Sequence, residues 1–126
     1  MILADTNIFL EILLDQNGKE KCKKFLTKNL GNIVISDFSL HSIGIILFKK
    51  DSYHVFNEFV SDIIPQIQIA TLTSRFYENI AIVAKSTGLD FDDSYQFCLS
   101  SENRFEIATM DKDFLKISSR VKVHFI

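Results

Sequence analysis

Apolar positions change their period along this chain, and each change marks an element. Residues 2–4 (ILA) form a short continuous apolar run suited to a buried strand, and in the following TNIFLEILL the residues Ile8, Phe9, Ile12 and Leu13 recur at helical spacing. The pattern predicts strand, turn, helix. GKEKCKKFLTKNL (18–30) predicts a second helix with a basic outer face, closed by Gly31, and NIVIS (32–36) a second strand. DFSLHSIGIILFKK (37–50) reads as a largely buried helix. SYHVFNEFVSDII (52–64) reads as another that must end before Pro65, since proline lacks an N–H and disfavours helical backbone in the residue before it. QIQIATL (66–72) alternates polar and apolar residues and predicts the third strand. Thr73 is placed to cap SRFYENIAIVAKS (74–86), Gly88 to end it, and Asp90 to cap FDDSYQFCLSSEN (91–103). FEIAT (105–109) predicts a fourth strand, MDKDFLKI (110–117) a short turn, and VKVHFI (121–126) a fifth strand.

Short apolar strands alternating with helices imply a parallel sheet covered on both faces, because right-handed crossovers place the helices there. The expected fold class is α/β: a three-layer α/β/α arrangement around a central parallel sheet of about five strands. The length of 126 residues matches a single domain, 1–126, with no repeat, low-complexity tract or linker. No apolar run approaches the roughly 18 residues of a membrane span, and the start lacks the basic segment and cleavage site of a signal peptide. A cytoplasmic protein with no membrane partner is expected. Cys22 and Cys98 form no CxxC, so they are expected as free thiols.

The net charge of −2 argues against a general nucleic-acid binder. Distribution changes that picture: setting aside Asp5, Asp93, Asp111 and Asp113 leaves 12 acidic against 14 basic residues, a mildly basic surround for an acidic pocket. In open parallel sheets ligands bind beyond the carboxyl ends of the strands. Asp5 follows the first strand, Asp111 and Asp113 follow the fourth, and Asp93 lies in the first turn of the helix after TGLD. Taken singly, Asp5 and Asp111 suit helix caps, and Asp93, three residues after Asp90, suits the acidic arm of a capping box. Taken together, they suit a hard cation, which needs several oxygen ligands at one point and relieves their mutual repulsion. Such an ion can polarise a phosphate oxygen and acidify a water, so phosphodiester hydrolysis is the natural chemistry of the pocket.

On three motifs the chain resembles the PIN-domain family, specifically its small single-domain VapC-type toxin ribonucleases. ILADTN resembles the family's opening strand and Asp-Thr-Asn turn, LDFDDSYQF the segment where an Asp precedes a small residue at a helix start, and ATMDKDF the Thr-x-Asp-x-Asp-Phe ending. The resemblance spans nearly the whole chain in order and spacing. It implies a Mg²⁺- or Mn²⁺-dependent endoribonuclease that leaves 5′-phosphate and 3′-hydroxyl ends. Asp5, Asp93 and Asp111 would be metal ligands, Asp113 an additional acid, and Asn7 and Thr109 would hold waters or orient the carboxylates. It also implies an antitoxin partner whose peptide lies across helices near the active site, and a homodimer.

One departure stands out. Where the family usually carries a Glu on the helix after the second strand, SDFSLHSIG has Ser42, beside His41. Ser42 brings no charge to the site, which leaves three expectations open: a weaker single metal, substitution by another acid such as Asp37, or a catalytically degenerate PIN domain that binds RNA or protein. Asp37 is better placed to cap its own helix. A phospho-accepting signalling domain shares the layout, but IQIATLTS offers no Asp and EIATMD leads to Asp111 in place of the required Lys.

His54 and His124 have no companion at metal spacing. Lys19, Lys21, Lys23, Lys24 and Lys28 suit either an RNA backbone or a solvated helix face. Among the 12 phenylalanines, those on helices are expected in the core, and any surplus apolar area would mark a dimer or antitoxin surface.

Overall fold

Side chains on a strand alternate between its two faces, and here the alternation sorts the central strands into two cores. The computed structural model describes residues 1–126. In it Ile2 and Ala4 of β1 (Ile2–Ala4), Ile33 and Ile35 of β2 (Ile33–Ser36) and Ala108 of β4 (Glu106–Thr109) face one core. Leu3, Val34 and Ile107 of the same strands face the other. The first core is closed by α1 (Thr6–Leu13), α2 (Lys19–Asn29) and α3 (Asp37–Lys49), through Ile8, Phe9, Cys22, Leu26, Ile43 and Leu47. The second is closed by α5 (Glu78–Thr87) and α6 (Phe91–Asn103), through Ile80, Val83, Phe97 and Leu99. The result is the expected three-layer α/β/α fold.

The sheet has five strands in the order β3-β2-β1-β4-β5, with β3 (Gln68–Ala70) and β5 (Val123–Phe125) at its edges, and every pair is parallel. The chain steps outward from β1 to β2 and β3, then crosses to the other side of β1 for β4. Adjacent strands β1 and β4 therefore form the point where strand order reverses, with Ala4 opposite Ala108. The crevice beyond their carboxyl ends is where such sheets bind ligands.

Several boundaries differ from those expected. The helix expected over 52–64 is regular only in α4 (Tyr53–Glu58); Phe59–Ile63 widens into a π turn, and a 3₁₀ turn over Ile64–Gln66 carries Pro65 in its first positions, where a missing N–H is harmless. Thr73 does not cap its helix with its side chain; its hydroxyl donates to Glu102, and a 3₁₀ turn over Ser74–Phe76 precedes α5. Gly31 lies inside a 3₁₀ turn over Leu30–Asn32, whereas Gly88 ends α5 at φ 78°, a conformation that suits glycine.

The cap of α3 is also corrected. Ser36 supplies it, accepting from the Ser39 N–H at 2.9 Å, because Ser36 ends β2 in extended backbone with its hydroxyl over the first turn. Asp37 is thereby free for another duty. Its carboxylate accepts from the Tyr95 hydroxyl at 2.6 Å, while the Tyr95 oxygen accepts from the Leu72 N–H at 3.1 Å. One buried phenol thus ties α3, α6 and the end of β3 together, and burial followed by the Asp37 bond raises its pKa.

Candidate metal centre

β1 ends at Ala4, and the next residue is already the cap of α1. One Asp5 oxygen accepts from the Thr6 N–H at 2.8 Å; the other accepts from the Thr109 hydroxyl, across on β4, also at 2.8 Å. The Thr109 oxygen in turn accepts from the Asp111 N–H at 3.0 Å, so one threonine couples the two acidic segments. Asp111 caps the 3₁₀ turn Lys112–Ile117, accepting from the Asp113 N–H at 2.8 Å. This local turn brings Asp113 back toward Asp111.

Asp93 enters from the first turn of α6, whose cap is Asp90 as expected; the Asp90 carboxylate accepts from the Asp93 N–H at 3.0 Å. Asp93 does not return the bond as a capping-box acid. Its carboxylate instead meets Asp111 and Asp113, with one oxygen from each of the three within 4.8 Å of the others. Asp5 lies outside this tight group, buried by the bonds just described, and acts on it through its charge.

The electrostatics follow from that crowding. Burial, then the charges of Asp5, Asp90, Asp111 and Asp113, push the Asp93 carboxyl up to about 7. Asp5 is also raised by burial, against the opposing hydrogen bonds from Thr109 and Thr6. Three carboxylates that repel one another, one of them 8% exposed, form a hard-oxygen set that could hold a divalent cation. The donor set is all oxygen, as a hard divalent cation requires.

The remaining residues named from sequence take different places. Thr109 is buried and orients both Asp5 and Asp111. Asn7 is exposed on the first turn of α1, and Ser42 is half-buried on α3, one turn beyond Ser39. Asp37 lies outside the three-carboxylate group and is engaged by Tyr95 and by its own turn. His41 is exposed and bonds the Asp37 carbonyl, and His124 pairs with Glu106 on the neighbouring strand.

Sequence reading overlooked the neutral layer beneath the carboxylates. The Ser39 hydroxyl is its hub, meeting Thr6 Oγ1 at 2.7 Å, Ser36 Oγ at 3.0 Å and the Gln96 amide at 2.7 Å. The available signal was spacing: Gln96 lies three residues after Asp93 and therefore on the same side of α6, and Ser39 lies three after Ser36.

The family model described as "PIN domain" matches residues 2–119. Solved structures share the fold at low sequence identity. FitAcB from Neisseria gonorrhoeae is 22% identical with a TM-score of 0.80, covering 98% of this chain and 96% of its own. A toxin–antitoxin complex from Klebsiella pneumoniae is 20% identical with a TM-score of 0.75, covering 90% of each chain. The sarcin-ricin loop cleaving toxin VapC20 from Mycobacterium tuberculosis is 10% identical with a TM-score of 0.74, covering 96% of each chain. No curated protein matches in sequence.

Proposed function

The chain belongs to the PIN domain family, and on that premise we propose that it is a Mg²⁺- or Mn²⁺-dependent endoribonuclease, the toxin of a toxin–antitoxin pair. The observation that carries this proposal is the convergence of Asp93, Asp111 and Asp113 beyond the ends of β1 and β4, with Asp93 pushed up to about 7 by burial and then by the charges of its neighbours. Solved neighbours that are toxin–antitoxin proteins, one of them described as cleaving the sarcin-ricin loop, support the substrate class.

The chain's own residues divide the work by position. Asp93, Asp111 and Asp113 would hold the ion, with Asp5 adding charge and a ligand oxygen from behind. Thr109 keeps Asp5 and Asp111 in register by donating to one and accepting from the other. When bound, the ion supplies the charge that polarises a phosphate oxygen and acidifies the attacking water. Burial and then the charges of the neighbouring acids hold Asp93 partly protonated near neutral pH, a cost that a bound cation would relieve.

Incubating purified protein with a mixed pool of single-stranded and structured RNAs should give cleavage in millimolar Mn²⁺ and none in EDTA, with 5′-phosphate and 3′-hydroxyl ends. Absence of cleavage in every RNA, together with specific RNA or protein capture, would replace the proposal by the second reading: a degenerate domain that binds without cutting. Ser42 is the observation that favours this alternative, because α3 brings no carboxylate to the site.

Two surfaces suit the proposed partners. A groove of about 380 Å³ between α1, α2 and the Phe59–Ile67 segment, lined by Phe9, Ile12, Leu13, Leu26 and Ile63, suits an apolar antitoxin helix. On α3 and α4, Ile45, Phe48 and Tyr53 are 57%, 47% and 50% exposed, and Phe48 packs edge-on against Tyr53 and Phe56. This patch suits a second copy of the chain. Phe48→Glu should convert a dimer to a monomer by light scattering while leaving Mn²⁺ binding intact; an unchanged mass would place the dimer contact elsewhere or show that none forms.

The whole chain, 1–126, is taken as one functional domain in this proposal. No helix is long and apolar enough to cross a membrane; the proposed action on RNA would be exerted in the cytoplasm.

A further inference from the structure

Of the 12 phenylalanines, only Phe48 and Phe91 are exposed, and Phe91 is the one beside the carboxylates, two residues before Asp93. It is 54% exposed at the first position of α6. The start of that helix does not need it. Asp90 supplies the cap, and Leu89, before the cap, supplies the buried anchor. A large ring left in water between Asp90 and Asp92 is therefore not explained by the folding of α6.

Its support is nevertheless fixed. The Phe91 ring lies 6.4 Å from that of Phe38, centroid to centroid, at an interplanar angle of 56°. Phe38, at the start of α3, lies 5.6 Å from Tyr95 at 36°. Tyr95 is buried, with its hydroxyl held between Asp37 and the Leu72 N–H. Both ring pairs are within the range of favourable aromatic contact. The outermost ring thus rests on a buried, hydrogen-bonded base while itself staying open to solvent. Two residues of helix place Phe91 and Asp93 on opposite sides of the first turn. Asp93 meets Asp111 and Asp113, and Phe91 meets Phe38. A helix with its side chains is about 10 Å across, so an RNA strand lying over this end of α6 reaches the carboxylates and the ring with adjoining nucleotides. Asp90 and Asp92 on either side disfavour a phosphate at the ring; a neutral base suits it.

We propose that Phe91 is the stacking platform for an unpaired base adjoining the phosphate held at the carboxylates, and that the protein therefore acts on single-stranded RNA. The inference rests on the RNA-directed, metal-dependent reading of the site and deepens it by naming the form of the substrate. Every base has a π face, so the contact is tolerant of sequence. It does require a base free of duplex stacking, because a paired base offers its faces to its neighbours in the helix. Phe38 serves as the ring behind the platform and holds it in place.

The chain contains no Trp, so Phe91→Trp introduces a single fluorophore at the platform. In Mn²⁺, mixing this variant with single-stranded oligouridylate should quench the tryptophan before product accumulates. An abasic ribose-phosphate chain of equal length should quench it several-fold less, as should the same oligouridylate paired with oligoadenylate. Ile82→Trp, exposed on α5, should respond to none of the three. In cleavage of oligouridylate, Phe91→Ala should raise KM about tenfold with little change in kcat, the loss expected for one stacked base, and Phe91→Tyr should keep the parent's KM. Equal quenching by oligouridylate and the abasic chain would overturn the proposal, as would a Phe91→Ala KM within twofold of the parent's; the ring would then be left as a contact for a protein partner. The fluorescence does not depend on cleavage, which separates this inference from the reading beneath it. Quenching as expected with a parent that cuts no RNA would overturn the nuclease reading and leave the platform standing, whereas cleavage by the parent without quenching of Phe91→Trp would overturn the platform alone.

Discussion

Asp93→Asn is expected to make the metal-free protein more stable and to destroy its activity. Both effects have the same origin. Asp93 has its folded-state pKa raised from 3.8 to about 7, first by burial and then by Asp5, Asp90, Asp111 and Asp113. Between those two values the folded state binds more protons than the unfolded state, so stability falls as pH rises. The penalty is absent below about pH 4 and is fully developed once the pH passes the folded pKa. One pKa unit corresponds to about 1.4 kcal/mol, so the penalty at pH 8 is a few kcal/mol, a large share of a small domain's net stability.

Asparagine keeps the shape and carries no charge to lose. In EDTA the parent's unfolding midpoint should decline from pH 5 to pH 8, and that of Asp93→Asn should decline much less, leaving the variant the more stable of the two at pH 8. Saturating Mn²⁺ should reverse the order, since the ion stabilises only the protein that binds it. Loss of the ion removes several kcal/mol of transition-state charge stabilisation, which corresponds to at least about a thousandfold in cleavage rate. Parent Mn²⁺ affinity should also weaken below pH 7, where protons compete for Asp93. Equal pH profiles for the two proteins in EDTA would show that Asp93 is not the strained acid of this site.

The same physics explains what could be read from the chain and what could not. Strands such as ILA and IVIS are buried on both faces, so their apolar runs and the intervening helical periods point to a parallel α/β sheet without ambiguity. The convergence of Asp93, Asp111 and Asp113 was legible because carboxylates at strand ends and helix starts are few and their order along the chain is informative, whereas Asp5, expected in the same set, lies outside the tight group. Capping and membership of the acidic group are compatible in Asp111: one oxygen serves a backbone N–H, which orients the carboxylate. What spacing along one element does not carry is contact between elements. Ser39 bonding Gln96, and Tyr95 bonding Asp37, join residues 57 and 58 apart in sequence. Local pattern also misplaced the cap of α3, since Ser36 and Asp37 are both good capping residues and only the extended backbone at the end of β2 selects Ser36.

Ser42→Glu is expected to strengthen Mn²⁺ binding by at least about tenfold, and its effect without metal should have the opposite sign. Ser39 faces the layer under the carboxylates, through its bonds to Thr6 and Gln96, and Ser42 lies one helical turn further along the same side of α3. A carboxylate that reached within about 5 Å of a divalent ion would interact with it by several kcal/mol at an effective dielectric near 20. Its own desolvation and its repulsion of Asp5 and Asp93 offset part of that gain, and about 1.4 kcal/mol of net gain already gives the tenfold change. In EDTA the added charge has nothing to oppose it, so the unfolding midpoint should drop below the parent's, most strongly at high pH where Asp93 is ionised. In saturating Mn²⁺ it should rise above it. RNA cleavage then separates the two readings of this protein. If the parent cuts RNA, Ser42 marks a site that works with one charge fewer, and the Ser42→Glu substitution lowers the Mn²⁺ concentration needed for half-maximal rate. If only the variant cuts, the native chain retains the carboxylate scaffold of a nuclease but uses it for binding. A variant matching the parent in affinity and in both midpoints would show that position 42 does not face the carboxylates.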